Sequence, residues 1–476
     1  MSRVVCLAVV GLTSFVDGLL AANAQSPDLA TATRPNIVVV LTDDQRFDAN
    51  GYSGHPVVET PALDRLAAES TRFDNAFVTT AICTASRASI LTGAWESIHK
   101  ITNFGTPLPD DLLAQSYLMR LKDAGYHTGF VGKWGLGGQL PADRFDAWFG
   151  FGGQGIYFPE GRRGGNGPKD DGTGDRHLTD RHGDRFVEFL DQVPGGRPFV
   201  VQVATKATHV NDPTMNADPF PPAVRHRSLF PDPVPHQPLD TAEAFAALPA
   251  AIQRSEARIR WEPRFGNEER YQRNVRNYYR LIVGVDEMVA RMRSELEARG
   301  LWDNTVFLFT SDHGAYLGDR GLAGKWFMHD ESIRVPMLLR VPGQPSGRSD
   351  AIVLNVDIAP TLLDLAGLER SPVMQGRSLR PLLGGQTPDD WRDGYFYEHH
   401  FSYATIPELE GVRGPRYKYV RYAVLDEDRE ELFDLQADPG ELTNLVDDPK
   451  AADALAEMRD RWRTMRQQVR EPGRVQ

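Results

Sequence analysis

The sequence predicts an α/β fold, with a mainly parallel sheet covered on both faces by helices and a smaller C-terminal α+β subdomain. Three observations predict it. Apolar, β-branched runs alternate with amphipathic stretches from Asn36 to Ala366, as parallel strands with two buried faces require. Charged residues recur just after those runs, where ligands sit in such sheets. After Gly367 short strand-like pieces and one amphipathic helix take over.

The elements follow in order. Residues 1–24 read as an export signal: Arg3 supplies positive charge, Val4 to Leu20 is apolar apart from Asp17, and Ala22-Asn23-Ala24 fits a small-x-small cleavage site. The expected location is therefore periplasmic or secreted. No stretch reaches the ~18 apolar residues of a membrane span. Asn36 to Thr42 is the clearest strand, between Arg34-Pro35 and Asp43-Asp44. Thr60-Pro61 opens a helix with Pro at its first position, and Leu63, Leu66 and Ala67 give it an apolar stripe. Buried strands are expected at Thr128–Gly132, Phe199–Ala204, Thr305–Phe309 and Val335–Val341. Helices are expected at Ala114–Ala124, Asp184–Asp191, Tyr278–Arg299 and Val356–Ala366. The Gly-rich stretch Phe151–Asp175 and the Pro-rich stretch Asn211–Leu239 read as long loops of the kind that shape a substrate mouth. Beyond Ser371-Pro372 come strands at Gly394–Tyr397 and Tyr417–Tyr422 and a helix from Ala451 to about Val469. These readings divide the chain into a signal (1–24), a main α/β domain (34–370) and a C-terminal subdomain (371–476).

Composition narrows the function classes. Of 476 residues 41% are hydrophobic and 25% charged, which excludes collagen-like, disordered and polytopic-membrane chains. Acidic residues outnumber basic ones 65 to 53, a net charge of −12, so nucleic acid is not an expected partner. Loss of Cys6 with the signal leaves Cys83 as the single thiol and no internal disulfide. Cys83 is then a core residue, a reactive group or a site of modification.

Two acidic clusters fall at matching strand ends: Asp43-Asp44 after Thr42, and Asp312 with His313 within Ser311–Gly314. A turn-capping role is open to either cluster alone. Together, three gathered carboxylates call for a cation, and oxygen ligands favour Ca²⁺ or Mg²⁺. Ser86 to Leu91 reads as helical, so Cys83 lies near a helix N-terminus, with Arg87 one turn on. Lys133, His209 and Lys325 also fall at strand edges. Each alone reads as an ordinary surface group, and their shared edge makes them candidate site residues.

Taken with Thr60–Leu66, Cys83–Gly93, Gly132-Lys133-Trp134, Lys325–Pro336 and Glu431–Leu435, these residues resemble the type I sulfatases of the alkaline phosphatase superfamily. The likeness runs from about Pro35 to Leu445. It implies an alkaline phosphatase-like fold, with a large mixed, mainly parallel sheet sandwiched by helices. It also implies that a maturation enzyme oxidises Cys83 to formylglycine, and that Asp43, Asp44, Asp312, His313 and residue 83 hold one Ca²⁺. Arg87 would steady the formylglycine, Lys133 and Lys325 would contact the sulfate, and His209 would protonate the leaving group. Two departures stand out: Ala85 replaces the usual motif Pro, and Gly135 replaces a His found in many relatives, with His99, His329, or a water or the calcium alone as candidates to fill in.

The resulting expectation is an exported sulfate ester hydrolase acting on a sulfated small molecule or glycan, with a lean towards carbohydrate. Residues Glu398 to His400, Arg413, Arg416 and Lys418 are candidate substrate contacts from the C-terminal part. One alternative is a phosphonate monoester or phosphodiester hydrolase of the same superfamily. Another is a non-catalytic sulfated-glycan binding protein.

Overall fold

The structure is a computed structural model that describes Met1 and residues 34–158, 176–211, 218–423 and 429–474. The expected export signal lies outside the described residues, as do 159–175 of the Gly-rich stretch and 212–217 of the Pro-rich one.

An eight-stranded sheet forms the centre. Its strands are β1 (Asn36–Thr42), β2 (Thr71–Phe77), β3 (His127–Lys133), β4 (Ala147–Phe151), β5 (Phe199–Ala204), β6 (Thr305–Ser311), β9 (Met337–Arg340) and β10 (Gly347–Leu354). A small ribbon of β7 (Tyr316–Leu317) and β8 (Ala323–Gly324) follows β6. The order across the sheet is β10-β2-β9-β6-β1-β5-β3-β4. β9 runs antiparallel to both of its neighbours, and every other pairing is parallel. The sheet is thus mixed and mainly parallel, as expected.

Side chains of β1 alternate between two cores. Ile37, Val39 and Leu41 join one, and Val38 and Val40 join the other. Helices Cys83–Thr92, Tyr117–Asp123 and Ile358–Leu365 close the first; helices Pro61–Ala68, Leu178–Gln192 and Glu268–Ala298 close the second. The helix expected over Ala114–Ala124 is broken instead. One short helix ends at Ala114, and Ser116 caps Tyr117–Asp123 by accepting from the Met119 amide at 3.4 Å. The helices expected at Asp184 and Tyr278 begin earlier, at Leu178 and Glu268.

A second, antiparallel sheet follows: β11 (Tyr395–His399), β12 (Glu408–Arg413), β13 (Tyr417–Ala423) and β14 (Arg429–Asp434). The Ala452–Gln468 helix packs on it through Leu455 and Met458. Several residues expected to contact substrate tie this sheet down instead. Lys418 is fully buried and donates to the Met328 carbonyl and to Asp330, both at 2.8 Å. Arg413 reaches the same Asp330 at 3.0 Å, and Arg416 pairs with Asp434 at 2.6 Å. His399 is buried. Glu398, also buried, accepts from the Ser97 amide at 2.7 Å.

His400 completes this joint. Its amide donates to Glu96, and its ring lies 3.4–3.6 Å from Glu398, Glu408 and Glu410. Burial would lower the pKa of this imidazole, but the hydrogen bond to Glu398 and the surrounding carboxylates raise it to about 9. A folded-state pKa above the unfolded value of ~6.5 stabilises the fold fully below that value and loses the contribution as pH rises through about 9. The wild type should therefore lose stability between those limits relative to His400→Gln. Parallel denaturant melts across that window measure it, and equal pH slopes would remove the joint's ionic character.

Candidate active site

All nine sequence-predicted site residues meet at one edge of the large sheet. β1 and β6 are hydrogen-bonded in register, Thr42 beside Ser311, so the chain delivers Asp43-Asp44 and Asp312-His313 side by side. The Asp312 amide donates to the Thr42 carbonyl at 3.0 Å, and the Gln45 amide donates to Ser311 Oγ at 3.0 Å. Asp44 takes a left-handed conformation (φ 63°), which turns the chain sharply at the strand end. Thr208 Oγ1 and Tyr278 OH donate to the Asp44 carbonyl at 3.0 and 2.7 Å and hold that turn.

Cys83 begins the Cys83–Thr92 helix, and Ile82 before it is extended. The thiol is 2% exposed, yet its surroundings are charged rather than apolar. Burial would raise its pKa, but Lys133, a hydrogen bond with His313, and Lys325 bring it down to about 7. The helix is pinned to β6 by Ser86, whose hydroxyl donates to the Asp312 carbonyl at 2.5 Å.

Arg87 binds three strand ends at once. Nε donates to Asp312 Oδ2 at 2.9 Å, Nη2 to Asp43 Oδ2 at 3.3 Å, and Nη1 to the Lys133 carbonyl at 2.8 Å. Lys133 Nζ pairs with Asp43 and donates to Gln154 Oε1 at 2.6 Å. Lys325 Nζ donates to Asp44 Oδ1 at 2.8 Å. His209 Nδ1 donates to the Val210 carbonyl at 2.7 Å, which leaves Nε2 facing Asp44 at 3.8 Å. His313 lies 3.1 Å from Asp44 and 3.4 Å from Asp312.

Burial alone would push every carboxyl here upward. Lys133, His209, Arg87 and Lys325 instead hold Asp43 well below the usual range, and Lys325 with His209 and His313 lowers Asp44. Asp312 goes the other way, raised by burial and by the charge of Asp43. Its ionised form is short of positive charge. Asp43 Oδ1 is moreover buried without a hydrogen-bond partner. Asp43, Asp312 and His313 present donor atoms within 4.8 Å of one another, and so do Asp43, Asp44 and His209. This orphaned oxygen and the carboxylate-rich donor set fit a divalent cation.

The departure at Gly135 has a structural reason. Its φ is +76°, and a Cβ there would stand 2.5 Å from Arg87 Cδ. No histidine fits without moving the arginine. Each candidate replacement has a ring nitrogen engaged: His99 pairs with Ser89 at 3.1 Å, and His329 with the Tyr316 hydroxyl at 2.7 Å. Gly135→Ala should displace Arg87 and lower kcat by roughly 10–100-fold, the scale at which ångström misplacements act. A steady-state assay checks it, and unchanged kcat would show that Arg87 tolerates the shift. Sequence reading missed Gln154, which only the fold brings from beyond β4 to Lys133. It also missed Thr208 and Tyr278, which act through backbone contacts.

Residues 35–368 match the sulfatase family model, and residues 318–468 match the model described as N-sulphoglucosamine sulphohydrolase, C-terminal. An N-acetylglucosamine-6-O-sulfatase of Bacteroides thetaiotaomicron is 29% identical over 490 residues, covering 89% of this chain and 85% of that protein. A solved structure in complex with its substrate D-glucosamine-2-N,6-O-disulfate aligns with a TM-score of 0.77 at 27% identity, over 93% of this chain and all of that one. A phosphonate monoester hydrolase of Agrobacterium radiobacter shares the fold, with a TM-score of 0.75 at 24% identity over 92% of this chain and 96% of that one. With most of its length under one family model and its strand-end charges gathered as that family's resemblance implied, the chain belongs to the sulfatase family of the alkaline phosphatase superfamily and is a sulfuric ester hydrolase.

Proposed function

We propose that this hydrolase acts on sulfated carbohydrate, with Cys83 matured to formylglycine by a separate enzyme and one Ca²⁺ held by Asp43, Asp44, Asp312, His313 and residue 83. The convergence of an orphaned carboxylate oxygen, three cationic side chains and the residue 83 side chain carries the reading. The carbohydrate assignment is supported by the glucosamine substrates named for two relatives. We further propose that residues 1–24 direct export, with a catalytic part at 34–370 and a C-terminal subdomain at 371–476. Among the described residues no helix is long and apolar enough to cross a membrane.

When present, the cation and the hydrated aldehyde would supply a polarised sulfate oxygen, a hydroxyl nucleophile and a route for sulfate release. The chain's own groups do the rest. Lys133 and Lys325 place their ammonium groups in a buried site, where they count most against charge developing on sulfate. Arg87 locks three strand ends, so these charges need no rearrangement when substrate arrives. His209 is kept neutral by burial, its pKa lowered to about 3 despite Asp44. With Nδ1–H fixed on Val210, Nε2 is the ring nitrogen left to exchange a proton with the leaving oxygen.

The test is a comparison of kcat/KM on matched aryl sulfate, aryl phosphonate and phosphodiester substrates, followed by sulfate release from sulfated mono- and disaccharides. Sulfate esters should lead by orders of magnitude. A preference of that size for the phosphorus compounds would overturn the reading, and a lack of sulfate release from every sugar would remove the carbohydrate part alone.

A further inference from the structure

Next to the catalytic lysines lies an aromatic cluster that the chemistry above does not use. Phe104 keeps 44% of its surface in solvent, and few large apolar side chains are exposed among the described residues. Its ring packs edge-on against Phe401 (centroids 4.8 Å apart) and Tyr403 (5.5 Å). Tyr403 is half-buried and stacks on Trp326 at 6.0 Å with a 16° tilt. Arg260 lies over both Trp326 and Tyr403, 5.3 and 5.4 Å from the ring centres, and donates to the Tyr403 hydroxyl.

Two independent connections place this cluster on the rim of the active site. Trp326 directly follows Lys325, whose ammonium sits on Asp44. The other connection runs through the Phe104 loop itself. Gly137 donates from its amide to the Thr106 carbonyl at 3.2 Å, and Pro107 bridges to Gly137. Gly137 ends the same turn that carries Lys133 and Gly135. The Ser402 amide donates to the Thr102 carbonyl at 3.0 Å, which joins the two aromatic loops to each other. The platform therefore spans the gap between the segments bearing the two lysines.

We propose that Phe104 and Tyr403, with Arg260, form a subsite for a sugar ring of the sulfated substrate. Apolar C–H faces of a pyranose suit an exposed aromatic surface, and Arg260, anchored on Glu256 at 2.8 Å, holds the Tyr403 ring in place for that contact. The occupant is the substrate itself because the two loops that carry the exposed rings are tied to the segments that bear Lys133 and Lys325. This inference rests on the carbohydrate reading given above.

The experiment measures kcat and KM of matured wild type, Phe104→Ala and Phe104→Tyr on a sulfated glucosamine-containing disaccharide. Thermal melts confirm that each variant is folded. Phe104→Ala should raise KM about tenfold with little change in kcat, and Phe104→Tyr should restore it, as loss and return of one stacking contact would. If the wild type cleaves the disaccharide and Phe104→Ala leaves KM within twofold, the platform is refuted and the carbohydrate reading stands. If the wild type cleaves an aryl sulfate but no sulfated sugar, the carbohydrate reading fails and takes the platform with it.

Discussion

Asp312→Asn should yield a folded protein that retains no divalent cation and turns over on the order of 10³-fold more slowly. Asp312 faces two ways. Oδ2 accepts from Arg87 at 2.9 Å, and Oδ1 stands 3.4 Å from His313 Nε2 in the group whose donors lie close enough to share an ion. Its carboxyl is raised by burial and by Asp43, so in the ion's absence its charge is the least well compensated of the three. Asparagine keeps the volume and an acceptor for Arg87 but removes that charge. Asp312→Ala should lose the metal too, but it strips a buried guanidinium of its nearest carboxylate, at a cost of about 3–5 kcal/mol. The pair of variants therefore separates ligation from folding. Metal analysis after dialysis gives the answer, and unchanged calcium content in the asparagine variant would break the ligand set.

Cys83→Ser should lower activity by about 10⁴-fold or more, the scale seen when a catalytic nucleophile is removed. The serine hydroxyl fits the same buried position at the head of the Cys83–Thr92 helix. A sulfate ester formed on it lacks the second hydroxyl needed to collapse to a carbonyl, so the enzyme would stall after one event. The companion observation is mass spectrometry of the tryptic peptide Phe73–Arg87 from the native host. The peptide should carry an aldehyde oxygen in place of sulfur. An intact thiol together with retained affinity for sulfated glycan would favour binding over catalysis, and full activity of the serine variant would refute the nucleophile assignment.

The central strands were legible because they are runs of mainly apolar residues buried on both faces; β1, β-branched for most of its length and buried from Asn36 to Thr42, is the plainest. The strands that escaped notice carry polar side chains. β2 reads Thr-Arg-Phe-Asp-Asn-Ala-Phe, and β10 opens Gly-Arg-Ser-Asp at the sheet's edge, where solvent reaches one side. Short β4 at the other edge interrupts its aromatics with Gly150. The site was readable for a related reason: parallel strands point their ends the same way, so residues that follow them must gather. What the sequence could not show were contacts set by distant packing, such as Gln154 on Lys133 or the Gly135 turn against Arg87. Glu398 and Lys418 misled because a charged residue on a polar strand looks solvent-facing until the surface it docks against is known.

The three-way grip of Arg87 makes a keystone of one side chain. A lysine has a single point of charge and cannot replace a planar fork serving two carboxylates and a carbonyl. Loosening any one anchor slackens the other two, because the same rigid group holds all three. Heat, chelation or substitution at this corner should thus dismantle ion retention, nucleophile alignment and the tips of β1, β3 and β6 in a single step, rather than one after another.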